Sequence, residues 1–192
     1  MPSRDAAARG PAPRIAPRAP EPDPWQPDAV DDIVAQWRAQ RPEIDPSPML
    51  LFGRLHRLAA LLNAELEATF SGFGLGEGEF DVLASLRRAG DPYTLSPGAL
   101  AAATMVTSGA TSKRISRLEA RGLVRRTTCD DDGRGRRITL TAEGLSLVDS
   151  AVEAHLANER RLLAPLDDAQ RATLTALLRH WLATVEPPSV RG

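Results

Sequence analysis

The stretch SGATSKRISRLEARGLVRRTT, residues 108–128, changes its period part-way along. From Ser108 to Ala120, Ile115 and Leu118 recur at helical spacing among small and polar residues. Thr107 is placed to cap this helix, and Gly122 stands where a left-handed C-cap belongs. Leu123–Thr128 then reads as a strand. The segment 129–135 is acidic and turn-like, and Arg136-Arg137-Ile138-Thr139-Leu140 reads as the returning strand. The expected unit is a helix followed by a two-stranded hairpin, with Ile115, Leu118 and Val124 facing a core.

Upstream, Glu77 to Arg88 reads as a helix with Phe80, Leu83 and Leu86 inward, ended by Gly90-Asp91-Pro92. Ser96-Pro97 opens a short helix to about Ala103, with serine as cap and proline in the first turn. Further back, Asp28 caps a helix carrying Val30, Ile33, Val34 and Trp37, closed near Pro42. Ser47-Pro48 opens another, striped by Leu51, Leu55, Leu58, Leu62 and Leu66, which Gly72, Gly74 and Gly76 break. Downstream, Thr141 caps a long helix through about Leu163, and Asp167 caps a final one to about Thr184. Residues 1–27 carry eight prolines and almost no large aliphatic residue, so this tail is expected to be disordered.

The fold class that follows is mainly α with a two-stranded β-wing, a winged helix-turn-helix with helical regions on either side. Residues 28–70 and 141–185 supply those flanking helices, and residues 77–140 the winged core. The charge distribution fits a nucleic-acid partner. Between Ser108 and Leu140 nine basic residues (Lys113, Arg114, Arg117, Arg121, Arg125, Arg126, Arg134, Arg136, Arg137) face four acidic ones (Glu119, Asp130, Asp131, Asp132). That is a local charge of +5 in a chain of net charge −1. A focused basic zone is what phosphate contact requires, because counterion release supplies much of the binding free energy. Ser108, Thr111, Ser112 and Lys113, at the start of the central helix, are the candidates for contact with base edges or phosphates of double-stranded DNA.

Composition sets the outer bounds. The chain has 192 residues, 42% hydrophobic and 26% charged, a globular balance. Aromatic residues are only 4%, so the core rests on Leu, Ala, Val and Ile. With the single cysteine, Cys129, no internal disulfide is possible, which fits a reducing cytoplasm. No apolar run is long enough to span a membrane, and no secretory leader is recognisable. His56, His155 and His180 show no metal-ligand spacing, and no phosphate-binding glycine loop or nucleophile elbow is present. No enzyme and no cofactor are expected.

Ser112-Lys113-Arg114-Ile115-Ser116-Arg117-Leu118-Glu119-Ala120-Arg121-Gly122-Leu123-Val124-Arg125-Arg126 resembles the recognition-helix segment of the MarR family. Asp132-Gly133-Arg134 and Ile138-Thr139-Leu140-Thr141-Ala142-Glu143-Gly144 resemble that family's wing tip and exit. The resemblance covers about residues 28–185. It implies a DNA-binding transcription regulator, read as a repressor, acting as a homodimer on a palindromic operator with its first and last two helices interlocked. It further implies that Asp132 braces Arg134 in the wing and that Arg136 reaches the minor groove, where a narrow groove favours arginine.

The chain is also similar to a urate-responsive subgroup of that family. On that resemblance Trp37, Asp81, Arg114 and Arg126 form an effector site. An aromatic anion such as urate would stack on Trp37 and pair with Arg114, and Asp81 would pair with Arg126. Arg114 lies in the reading helix, so ligand capture would shift an equilibrium between binding states. Cys129 beside Asp130, Asp131 and Asp132 is a poor redox sensor, because neighbouring carboxylates raise a thiol pKa. The alternative from another class is a helical protein-interaction module without DNA binding, using the apolar surface of Leu156, Leu162, Leu163, Leu166, Leu174, Leu177, Leu178, Trp181 and Leu182. That surface is assigned instead to the homodimer contact.

Overall fold

The computed structural model describes residues 26–104, 108–128 and 135–186. Ten elements follow in order: α1 (Ala29–Gln40), α2 (Pro48–Ser71), α3 (Glu77–Arg88), β1 (Thr94–Leu95), α4 (Pro97–Ala103), α5 (Ser108–Ala120), β2 (Val124–Thr128), β3 (Arg136–Leu140), α6 (Ala142–Leu162) and α7 (Asp168–Val185). The tail expected to be disordered falls, except for its last two residues, outside the described chain, as do the Thr107 cap and Cys129. Two units are distinguished, residues 1–55 and 56–192.

In the first unit the Asp28 carboxylate accepts the N–H groups of Val30 (2.7 Å) and Asp31 (3.3 Å), and Asp31 reciprocates at the Asp28 N–H (2.8 Å). This is a capping box, satisfying donors that the first turn of a helix otherwise leaves open. Arg54 of α2 joins it, with Nη2 2.6 Å from Asp31 and Nε 3.0 Å from Asp28. Val30 and Val34 are buried; Ile33 and Trp37 of the same helix are exposed. The Ser47 hydroxyl expected to cap α2 donates to Asp45 instead (2.7 Å).

The second unit holds the main core. Val82, Leu83 and Leu86 of α3, Leu100 of α4, Ile115 and Leu118 of α5, Ile138 of β3 and Val148 of α6 are almost completely buried in one cluster. Each such side chain contributes about 1.5–3 kcal/mol on leaving water. The sheet runs β1-β3-β2, all antiparallel, with Thr94 opposite Thr139 and Arg126 opposite Ile138. β1 corrects the two-stranded expectation: two residues are too few for a periodic signal. Pairing with β3 places the Thr94 and Thr139 hydroxyls 2.8 Å apart. β2 also starts one residue later than expected, because Leu123 serves the end of α5.

That end is a Schellman closure. Gly122 takes φ +72°, the Leu123 N–H donates to the Leu118 carbonyl (3.0 Å) and the Gly122 N–H to the Glu119 carbonyl (2.9 Å). Thr141 ties this closure to α6. Its hydroxyl donates to the Gly122 carbonyl (2.7 Å) and accepts from the Gly144 N–H (3.0 Å). Gly144 sits so close that a Cβ there would overlap the Leu123 carbonyl, which is backbone and cannot swing away.

Gly144→Ala is therefore expected to destabilise the protein by about 1–3 kcal/mol through overpacking. Gly98→Ala, with open space around its Cβ, should stabilise by about 0.4–1 kcal/mol. Urea unfolding of both variants checks the contrast, and equal effects would contradict the close approach at Gly144.

Candidate nucleic-acid interface

α4 and α5 are the two helices of the turn. The Ser96 hydroxyl caps α4 by accepting the Ala99 N–H (3.1 Å), and Leu100 pins the helix to the core. α5 is then held by one stripe. Thr111, Ile115 and Leu118 are 1%, 2% and 0% exposed, at the spacing of one helical face. Ser112, Lys113, Ser116 and Arg117 are exposed on the opposite side.

This geometry corrects one site assignment. Thr111 is buried one turn before Ile115, so its hydroxyl is not available to a base edge. Its polar side chain suggested the surface; the spacing to Ile115 and Leu118 was the signal that pointed inward. Ser112 and Lys113 remain on the outer face. Ser108 begins α5, but its side chain lies outside the described residues, as do Asp132 and Arg134. Arg136 is exposed at the first position of β3, opposite Thr128 of β2.

The basic zone is not uniformly open. Arg117 Nε donates to Glu79 Oε1 (2.8 Å), and Arg121 Nη1 lies 3.5 Å from Glu79 Oε2. Arg121 also donates to the Gly74 carbonyl (2.8 Å). Arg126 is engaged twice, by Glu119 (2.8 Å) and by the Ser116 hydroxyl (2.8 Å). Counting charges along the chain missed these pairings, since Glu79 lies 38 residues from Arg117.

The proposed effector residues divide. Arg126 does not form the expected pair with Asp81; Glu119, seven residues earlier and adjacent in space, takes it instead. The charges acting on Asp81 are those of Arg114, Arg88 and His155. Partial burial pushes the Asp81 carboxyl up, and the neighbouring Arg114 and Arg88 guanidinium groups oppose that rise. Arg114 is half-buried, its guanidinium lies where any Cβ at Gly78 would sit, and its Nη1 is buried with no hydrogen-bond partner. His155, read from sequence as isolated, stands 5.3 Å from the Phe80 ring and 5.4 Å from Phe70, with Nδ1 buried and unpaired. Trp37 belongs to the first unit and is 41% exposed. Among the described residues no group of His, Cys, Asp and Glu could hold a metal ion, and no helix is long and apolar enough to cross a membrane.

A buried-stripe helix presenting Ser112, Lys113 and Arg117, followed by a short antiparallel sheet, defines a winged helix-turn-helix protein. The MarR family's sequence profile matches residues 73–135. The transcriptional regulator PecS of Dickeya dadantii is 42% identical over 149 residues, covering 78% of this chain and 90% of that protein. The chain belongs to the MarR family of transcriptional regulators. Among solved structures, AbsC, a MarR family regulator from Streptomyces coelicolor, matches with a TM-score of 0.66 at 26% identity over 74% of this chain and 96% of that one. BpsR of Bordetella bronchiseptica matches with a TM-score of 0.59 at 28% identity over 68% of this chain and 98% of that one. PecS and AbsC are transcriptional regulators, and for BpsR it is DNA binding that is regulated; the family is one of regulators rather than enzymes.

The Asp81 shift has a sign that can be checked. A carboxyl whose folded pKa is raised contributes stability that is full below its unfolded pKa and lost as pH rises through its folded pKa. Asp81→Asn removes that loss. Its stability relative to wild type is expected to climb from about pH 4 upward and then level off. Urea unfolding across pH measures this, and a pH-independent difference would contradict the burial of Asp81.

Proposed function

We propose that this regulator works in the cytoplasm as a homodimeric repressor, setting α5 of each protomer into the major groove of a palindromic operator and the β2–β3 wing into the adjacent minor groove. The outward face of α5 carries this reading: Ser112 and Lys113 stand on it because Thr111, Ile115 and Leu118 hold the opposite face in the core. Arg136 in the wing supplies the second contact. Ser108 and Arg134 complete the proposed set by their place in the sequence.

The dimer is supported by α7. None of its residues is buried, while Leu174, Leu177, Leu178 and Leu182 are exposed. A groove of about 540 Å³ lined by Leu58, Leu62, Leu162, Leu166 and Leu174 adjoins it. A contiguous apolar surface of this kind marks a partner contact.

The effector reading is narrower than the sequence suggested. An aromatic anion such as urate is proposed to meet Arg114, whose buried Nη1 lacks a partner, beside Asp81. Trp37 is retained as the stacking residue. Arg126 is retained only through its contacts with Ser116 and Glu119 on α5. Regulation of BpsR DNA binding by 6-hydroxynicotinic acid, another aromatic anion, supports this ligand class.

Two experiments test the reading. On DNA upstream of the protein's own gene, Lys113→Ala and Arg136→Ala should each weaken binding and reduce the salt slope by about one, with unchanged stability. Unaltered affinity and slope in both would sink the groove and wing assignments. Urate titrated into the protein–operator complex should release the DNA, and Trp37→Phe should need more ligand. No release at millimolar urate would remove the effector reading and leave the DNA contact standing.

A further inference from the structure

Glu79 has two distinct duties at the edge of the core cluster. Its side chain is only 10% exposed. Oε2 accepts the Gly76 N–H (3.2 Å), closing the first turn of α3, and lies 3.5 Å from Arg121 Nη1. Oε1 accepts Arg117 Nε at 2.8 Å. Arg117 itself is 64% exposed and stands one helical turn after Lys113, on the outward face of α5.

The two ends of this pair are therefore unequal. Glu79 is anchored by α3 and would keep Arg121 and the Gly76 N–H if Arg117 left, so no buried carboxylate would be stranded. Arg117 is anchored only through its own stem, and a pair exposed on one side contributes little net stability. A DNA phosphate offers the same guanidinium a comparable charge-assisted bond and releases a counterion as well.

We propose that Glu79 is a specificity-determining residue that withholds Arg117 from DNA. Binding without close approach leaves Arg117 on the carboxylate. Only a duplex that admits α5 deeply brings a phosphate near enough to take Arg117 from Glu79. The carboxylate thus lowers affinity for unrelated DNA more than for the operator, and widens the ratio between them. The inference rests on α5 being the groove-facing helix.

Fluorescence anisotropy with a duplex of unrelated sequence, across a salt series, tests it. Glu79→Gln should bind that duplex several-fold more tightly than wild type at low salt, with a slope steeper by about one. Adding Arg117→Ala should abolish both gains. An unchanged or shallower slope in Glu79→Gln, or gains that survive in the double variant, would overturn the proposal. Arg117→Ala alone, an exposed change that does not depend on the fold tolerating Glu79→Gln, should make the slope on the upstream operator DNA shallower by about one; no change there also overturns it. Lys113→Ala on the same operator separates the two levels. If it too leaves the slope unchanged, the groove-facing role of α5 fails; if it lowers the slope while Glu79→Gln behaves as wild type, only the Glu79 inference fails.

Discussion

Ile115 and Leu118 are buried while Lys113 and Arg117 are exposed, and a single helix satisfies both conditions at only one rotation about its axis. Which side chains α5 turns outward follows from that rotation. The stripe belongs to the same core cluster as Leu83, Leu86, Leu100 and Val124, and α3, α4 and β2 are the elements packed against α5. Interiors at this density resist deformation, and a cavity beneath α5 would tilt the reading face as well as cost stability. The far end of the helix is held by a different device. Gly122 and Leu123 close it, Thr141 carries the closure into α6, and Gly144 lets α6 come close enough for both bonds.

Electrostatics then divide a surface that looks uniform on paper. Arg117 and Arg121 belong partly to Glu79, Arg126 to Glu119 and Ser116, and Arg114 is half-buried beside Asp81. Arg126 links the wing to α5 through both Ser116 and Glu119, so the sheet and the helix share polar contacts as well as a core. Arg114 is on the inner shoulder of the same helix whose outer face carries Lys113. On the proposed effector reading, an anion held there lies within one turn of helix of the outward face. Such coupling needs differential affinity between the two states of α5, and the unpaired Arg114 Nη1 gives an anion something to prefer.

Local signals in the chain were sufficient for most of this architecture. Asp28, Ser96, Thr141 and Asp167 each cap the helix their position suggests, and Gly122 takes the left-handed conformation its place demanded. Capping and periodicity act within a few residues, so they can be read without the fold. What escaped was tertiary. β1 is two residues held by pairing with β3, and nothing local announces it. The partner of Arg126 proved to be Glu119 rather than Asp81, because a carboxylate's choice among several arginines depends on packing. His155 meets Phe80 only because α3 and α6 lie together. Thr111 is the exception: its phase relative to Ile115 and Leu118 was legible, and side-chain polarity obscured it.

The central claim is that the face of α5 bearing Ser112 is the face that meets DNA. An iron–chelate cleavage reagent attached to Ser112→Cys, in a Cys129→Ser background, measures this directly on end-labelled upstream DNA. The account predicts strand cleavage confined to the major groove within the bound site, and none from the same reagent at Ser150→Cys on α6. Cleavage from position 150 with none from position 112 would contradict it.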